Sequence, residues 1–176
     1  MDTTRILFVC LGNICRSPVA EAIMKQRARE RGLEGTIIAD SAGTGGWHVG
    51  ELPDERARRH GAARGYAVNS RARQFDPDAD FAAFDLIVGM DEQNVRDLER
   101  MASRPGEREK VRRATDFCRS FRRHAGVPDP YFGGASGFEL VMDMLEETAE
   151  GILESLGVER EDTPRSSRPG RIAPGS

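Results

Sequence analysis

Two of the three cysteines in this 176-residue chain stand five positions apart, at Cys10 and Cys15, and Arg16 follows the second directly. The stretch reads Val9-Cys10-Leu11-Gly12-Asn13-Ile14-Cys15-Arg16-Ser17-Pro18. A thiol, a guanidinium and a short glycine-containing turn suit one kind of chemistry. A loop of this length can ring a single tetrahedral anion with its backbone N–H groups, most effectively where it opens a helix. Gly12 lets the backbone come close to such a ligand, and Asn13 tolerates a left-handed conformation. Arg16 offers a planar fork of donors to phosphate oxygens. A thiol at the floor of this cup ionises more readily than a free one and becomes a nucleophile. Cys10 would attack phosphorus while Arg16 and the amides of Leu11, Gly12, Asn13, Ile14 and Cys15 hold the equatorial oxygens. Ser17 would hydrogen-bond the sulfur and ease its departure. Cys-x5-Arg alone is weak; the motif needs a strand before it and a helix after it.

The surrounding pattern supplies both. The apolar run Ile6–Val9 predicts a strand over 5–9, and a helix follows over 18–31, with Ser17 as its cap, Pro18 at its first position and Gly32 beyond it. Further strands are predicted over 36–39 and 85–90, with a weaker one over 111–115. Helices are predicted over 53–64, 91–102 and 138–156, the last with Leu140, Val141, Met144, Leu145, Ile152 and Leu156 on one face. Alternating strands and helices imply a single α/β domain with a mostly parallel sheet. Ligands of such sheets sit at the carboxyl ends of the strands, where Cys10–Ser17 falls. Residues 159–176 are rich in Pro, Ser, Arg and Gly and read as a disordered tail behind a domain of residues 1–158.

The composition narrows the class. The chain carries 26 Lys+Arg and 29 Asp+Glu, a net charge of −3 that argues against general nucleic-acid binding. The basic stretch Arg104–Arg123 and the acidic stretch Glu139–Glu154 read as solvated faces that neutralise one another. No apolar run approaches the ~20 residues of a membrane span. The N-terminus lacks the pattern of a signal peptide, and three cysteines are too few for a disulfide framework, so a cytoplasmic location is expected. His48, His60 and His124 are not spaced as metal ligands, and neither a metal nor any other cofactor is expected.

The cysteine–arginine loop resembles the signature of the low-molecular-weight protein-tyrosine phosphatases. The likeness continues in order through Asp40-Ser41-Ala42-Gly43-Thr44, Trp47-His48-Val49-Gly50, Ala72-Arg73-Gln74, Met90-Asp91-Glu92-Gln93-Asn94 and Asp129-Pro130-Tyr131-Phe132-Gly133, spanning about residues 5–157. It implies a four-stranded parallel sheet flanked by helices and a metal-free cysteinyl-phosphate mechanism acting on tyrosine-phosphorylated proteins, in a monomer or weak homodimer. Position by position, Cys10 matches the family's nucleophile, Arg16 its phosphate-binding arginine and Asp129 its general acid. A phenol leaving group has a pKa of ~10, so proton delivery helps at neutral pH. By itself, Asp129 between Pro128 and Pro130 reads equally well as a turn residue. Trp47, Tyr131 and Phe132 match the aromatic walls of the cleft, with Leu11 beside them.

Two departures stand out. Phe132 replaces a tyrosine common in relatives, and Ser70 stands where many have a histidine that braces the loop asparagine through neighbouring serines. Asn13, Ser17 and Ser41 are present, so Ser70 or a water is expected to take over the bracing. Cys15 reads either as a packing residue or as a redox partner that captures oxidised Cys10. An arsenate reductase would need relay cysteines, and none lies around residues 80–90; Cys118 stands alone beside Phe117 and Phe121. A protein-arginine phosphatase is the nearer alternative, but such relatives tend to carry threonine where this chain has Ile14. A purely phosphate-binding module needs neither nucleophile nor acid.

Overall fold

A computed structural model describes residues 2–131 and 133–159. Phe132 lies outside the described residues, as does the proposed tail beyond Glu159. Four strands form one parallel sheet: β1 (Thr4–Cys10), β2 (Ile37–Gly43), β3 (Leu86–Gly89) and β4 (Val111–Arg113), in the order β2-β1-β3-β4. Five α-helices accompany them: α1 (Arg16–Glu30), α2 (Glu55–Ala63), α3 (Pro77–Ala83), α4 (Glu92–Met101) and α5 (Ala135–Ser155).

Both faces of the sheet are covered, which explains why β1 is apolar without alternation. Ile6, Phe8 and Cys10 point into a core shared with α1, α2 and α5, while Leu7 and Val9 point into a second core with Phe81 of α3 and Leu98 of α4. Each such fully buried side chain stabilises the fold by about 1.5–3 kcal/mol. In place of the expected neutralisation of the whole basic stretch, α5's acidic residues pair mostly with residues in or just past the ends of α1 and α2. Arg64 reaches Glu139, Asp143 and Glu146, and Arg31 reaches Glu150. Of the basic stretch, Arg119 pairs with Glu154.

Three boundaries differ from the sequence expectation in ways that matter to the site. β2 runs on through Asp40-Ser41-Ala42-Gly43, so that Gly43 pairs with Cys10 at the end of β1. α1 starts at Arg16, behind Cys15, and Ser17 is a buried residue inside its first turn rather than the cap. α3 was not anticipated; Asp76 caps it and Pro77 fills its first turn. Its start also binds Asp80, whose carboxylate accepts the Asp76 N–H and pairs with Arg73.

Candidate active site

β1 ends at Cys10 and α1 begins six residues later, and the intervening turn lies at the carboxyl edge of the sheet, where β1 stands between β2 and β3. Asn13 takes the left-handed conformation that the turn requires, with φ 55°. Its amide is anchored on three sides: Nδ2 donates to Ser17 Oγ (2.7 Å) and Ser41 Oγ (2.9 Å), and Oδ1 accepts the Arg73 N–H (3.0 Å). Ser41 in turn donates to the buried Glu21 carboxylate on α1 at 2.7 Å. The bracing expected of Ser70 is therefore supplied by Glu21 and by the backbone of Arg73. Ser70 is not among the hydrogen-bond partners of Asn13. Gly12 also has a role not foreseen: a Cβ there would lie 3.1 Å from the His48 ring, so the glycine admits His48 to the rim.

The Cys10 sulfur sits within this frame. It lies 3.0 Å from Ser17 Oγ and accepts the Asn13 N–H at 3.3 Å. Cys10 and Cys15 are both buried and both line a cavity of about 160 Å³ over the loop, together with Leu11, Gly12, Ile14, Arg16, Trp47, His48, Asp129 and Tyr131. Trp47, Tyr131 and Leu11 are exposed at its rim, which gives it apolar walls. Cys15 differs sharply from Cys10 in surroundings. Burial, then the charges of Asp54, Cys10 and Asp129, push its thiol up to about 12, so it is neutral at physiological pH.

Arg16 is 3 % exposed. One end of its guanidinium is fixed: Nη1 donates to Asp91 Oδ2 (2.7 Å) and to the Val127 carbonyl (3.1 Å). Nη2 lies 3.8 Å from Asp129 Oδ2. Burial opposes its charge, but Cys10, Asp91 and Asp129 more than offset that and hold it protonated. Among the described residues, Arg16 Nε is buried and has no hydrogen-bond partner. A buried N–H of this kind is costly unless a ligand accepts from it. A phosphate oxygen is the acceptor that a guanidinium beside an amide-ringed cup would select.

Comparisons with known proteins bear on the family and the fold. The profile of the low molecular weight phosphotyrosine protein phosphatase family matches residues 5–162. The chain belongs to that family. A Synechocystis relative described as a putative low molecular weight protein-tyrosine-phosphatase is 48 % identical over 155 residues, covering 88 % of this chain and 98 % of its own. The crystal structure of an Entamoeba histolytica protein tyrosine phosphatase with Hepes in its active site superposes with TM-score 0.84. It is 41 % identical and covers 88 % of this chain and 97 % of its own. The Drosophila arginine phosphatase structure also superposes, with TM-score 0.80 at 33 % identity, covering 88 % of this chain and 99 % of its own.

Several residues of this phosphatase's site were not singled out as such. Asp91 was quoted only as part of a motif, yet it does two tasks. Its Oδ2 holds Arg16, and its Oδ1 caps α4 by accepting the Asn94 N–H at 2.8 Å. Glu21 sits in a helix that reads as ordinary, and only its burial reveals it. His48 pairs with Glu51 at 2.6 Å beside the rim, His60 stacks on Phe138, and His124 packs edge-on against Phe121. Cys118 is buried, with its sulfur 3.3 Å from Thr148 Oγ1. Among the described residues no three His, Cys, Asp or Glu side chains group in a way that could hold a metal ion. No helix among them is long and apolar enough to cross a membrane.

Proposed function

We propose that this phosphatase hydrolyses phosphotyrosine in proteins through a cysteinyl-phosphate intermediate. The observation that carries the reading is the pairing of the hydrogen-bonded Cys10 sulfur with a buried Arg16 whose Nε lacks a protein acceptor, in one loop. Cys10 attacks phosphorus, and the P–O bond to the phenol breaks as Asp129 gives the leaving oxygen a proton. Water then attacks the cysteinyl phosphate and loses a proton to Asp129. The S–P bond breaks, with Ser17 hydrogen-bonded to the departing sulfur and inorganic phosphate released. The amides from Leu11 to Cys15 and the Arg16 fork stabilise the charge on the equatorial oxygens in both steps.

Trp47 and Tyr131 stand at the rim as walls for a flat ring, and Ile14 adds an apolar surface to the cavity. An apolar contact there suits a phenyl ring better than a guanidino stem, which supports phosphotyrosine over phosphoarginine. The test is a rapid-mixing experiment with p-nitrophenyl phosphate. A stoichiometric burst of p-nitrophenol, absent in Cys10→Ser and unaffected by chelator, is expected. Full turnover by Cys10→Ser would sink the mechanism.

A further inference from the structure

The start of α2 ties together the two loops on which the proposed reaction depends. The Asp54 N–H donates to the Ile14 carbonyl at 2.8 Å, which seats this end of α2 on the phosphate loop. The Asp54 carboxylate grips Arg56 as a two-pronged fork: Nε meets Oδ1 and Nη2 meets Oδ2, both at 3.1 Å. Held in this way, the guanidinium reaches across to the segment that follows Asp129. Nη2 donates to the Tyr131 carbonyl at 2.8 Å and Nη1 to the Gly133 carbonyl at 3.4 Å. Its face lies over the Tyr131 ring, 5.6 Å from the centroid, and over Phe138 of α5 at 5.0 Å. Tyr131 is in turn coupled to the acid, since its N–H donates to Asp129 Oδ1 at 3.0 Å.

These contacts form a continuous path from Ile14 through Asp54, Arg56 and Tyr131 to Asp129. Arg56 touches neither phosphorus nor the leaving oxygen, and it does not line the cavity. Its donors are spent on the Asp54 carboxylate and on two backbone carbonyls of the Asp129 loop, so its effect is on where the loop lies. We propose that Arg56 is a positioning residue for proton transfer: it docks the Asp129 loop against the phosphate loop and so holds the Asp129 carboxyl at the mouth of the cup. The proposal rests on Asp129 being the proton donor. Arginine is specifically suited, because one planar group must satisfy a bidentate carboxylate, two carbonyls and two aromatic faces at once. A lysine keeps the charge and cannot make that set.

The test compares kcat/KM for two substrates that differ in their need for a proton. Phenyl phosphate releases a phenol of pKa about 10 and needs one. 2,4-Dinitrophenyl phosphate releases a phenolate that leaves unaided. Arg56→Ala is expected to lower kcat/KM for phenyl phosphate by roughly 10- to 100-fold, the scale of a misplaced catalytic group. For dinitrophenyl phosphate the loss should stay below about 3-fold, and the affinity for vanadate should hold, since the cup is untouched. Arg56→Lys should fall between, and it supplies the same ratio should the alanine variant not fold. The double variant Arg56→Ala/Asp129→Ala should be no slower on phenyl phosphate than Asp129→Ala alone. Equal losses on both substrates, additive losses in the double variant, or a matching fall in vanadate affinity would each overturn the proposal. The underlying assignment is read separately: if Asp129→Ala itself shows no dependence on the leaving group, the proton-donor reading fails, whatever Arg56 does.

Discussion

Replacing Asp91 by asparagine isolates what holds Arg16. The guanidinium is 3 % exposed, and the Asp91 carboxylate at 2.7 Å is its nearest charged partner. The same carboxylate caps α4 through its other oxygen. Asparagine caps a helix about as well as aspartate. It has only one acceptor oxygen, however, and its amide nitrogen would face a donor if that oxygen stayed on Asn94. One of the two bonds is therefore lost. A hydrogen bond to a charged group contributes about 1.5–3 kcal/mol, and a chain of this size loses roughly 2–4 °C of Tm per kcal/mol. Asp91→Asn should then melt about 3–12 °C below the wild type. Asp91→Ala forfeits the cap as well and should lose roughly 1 kcal/mol more. The activity should fall further than the stability suggests, since an untethered Arg16 misplaces the phosphate, at a cost on the order of 10²-fold in kcat/KM. Thermal unfolding followed by circular dichroism, with steady-state kinetics on the same samples, measures both. If Asp91→Asn melts within about 1 °C of the wild type and keeps full activity, the Val127 carbonyl and the loop suffice to hold Arg16, and the reasoning is wrong.

Other outcomes follow from the same geometry. Ile14→Thr should raise hydrolysis of phosphoarginine relative to phosphotyrosine, measured as a ratio of kcat/KM; a wild type that already prefers phosphoarginine would contradict the proposed substrate. Mild peroxide should convert Cys10 to a sulfenic acid, and the Cys15 thiol should then displace water to form a disulfide that dithiothreitol reverses. Mass spectrometry showing only sulfinic or sulfonic Cys10 beside free Cys15 would leave Cys15 a packing role. Because burial keeps the folded thiol protonated up to about 12 while an unfolded one ionises near 9, Cys15 should make stability decline as pH rises between those values, and Cys15→Ser should flatten that decline in urea titrations. Gly151→Ala should destabilise strongly, because a Cβ there would meet the Phe117 carbonyl oxygen at 1.9 Å, and unchanged unfolding would mean that α5 shifts freely.

What the sequence disclosed was local. The strand, the cysteine–arginine loop and the left-handed Asn13 are written in consecutive residues, and the structure places them as the spacing suggests. The boundary of α1 was misread because Ser17 looks like a cap, whereas its hydroxyl is drawn inward to Cys10 and Asn13. α3 carries legible signals in Asp76 and Pro77, but its seven residues are too few to show a helical period. The partners of the loop were invisible for a different reason. Asp91 stood within a motif and Tyr131 as a cleft wall, but they lie 75 positions from Arg16 and from Arg56, and nothing along the chain tells which side chains they meet. Only the topology, which brings the ends of β1 and β3 side by side, makes the first pair.

α1 opens behind Cys15 with no side-chain cap and no acidic residue in its first turn. A serine or aspartate at that position would ordinarily add about 1 kcal/mol. On the proposed reading the open helix end is completed by the oxyanion that enters the loop, so occupancy and folding belong to one equilibrium. A ligand at a hundred times its Kd stabilises the folded chain by about 2.7 kcal/mol. The cup does not distinguish the end of the reaction from its beginning in this respect. Free inorganic phosphate is the same tetrahedral oxyanion without its ester, and it must both protect the enzyme and compete with the substrate. That reading ties the throughput of the protein to the phosphate status of its surroundings: abundant phosphate would keep a durable, restrained pool, and scarcity would release the restraint while leaving the chain easier to unfold.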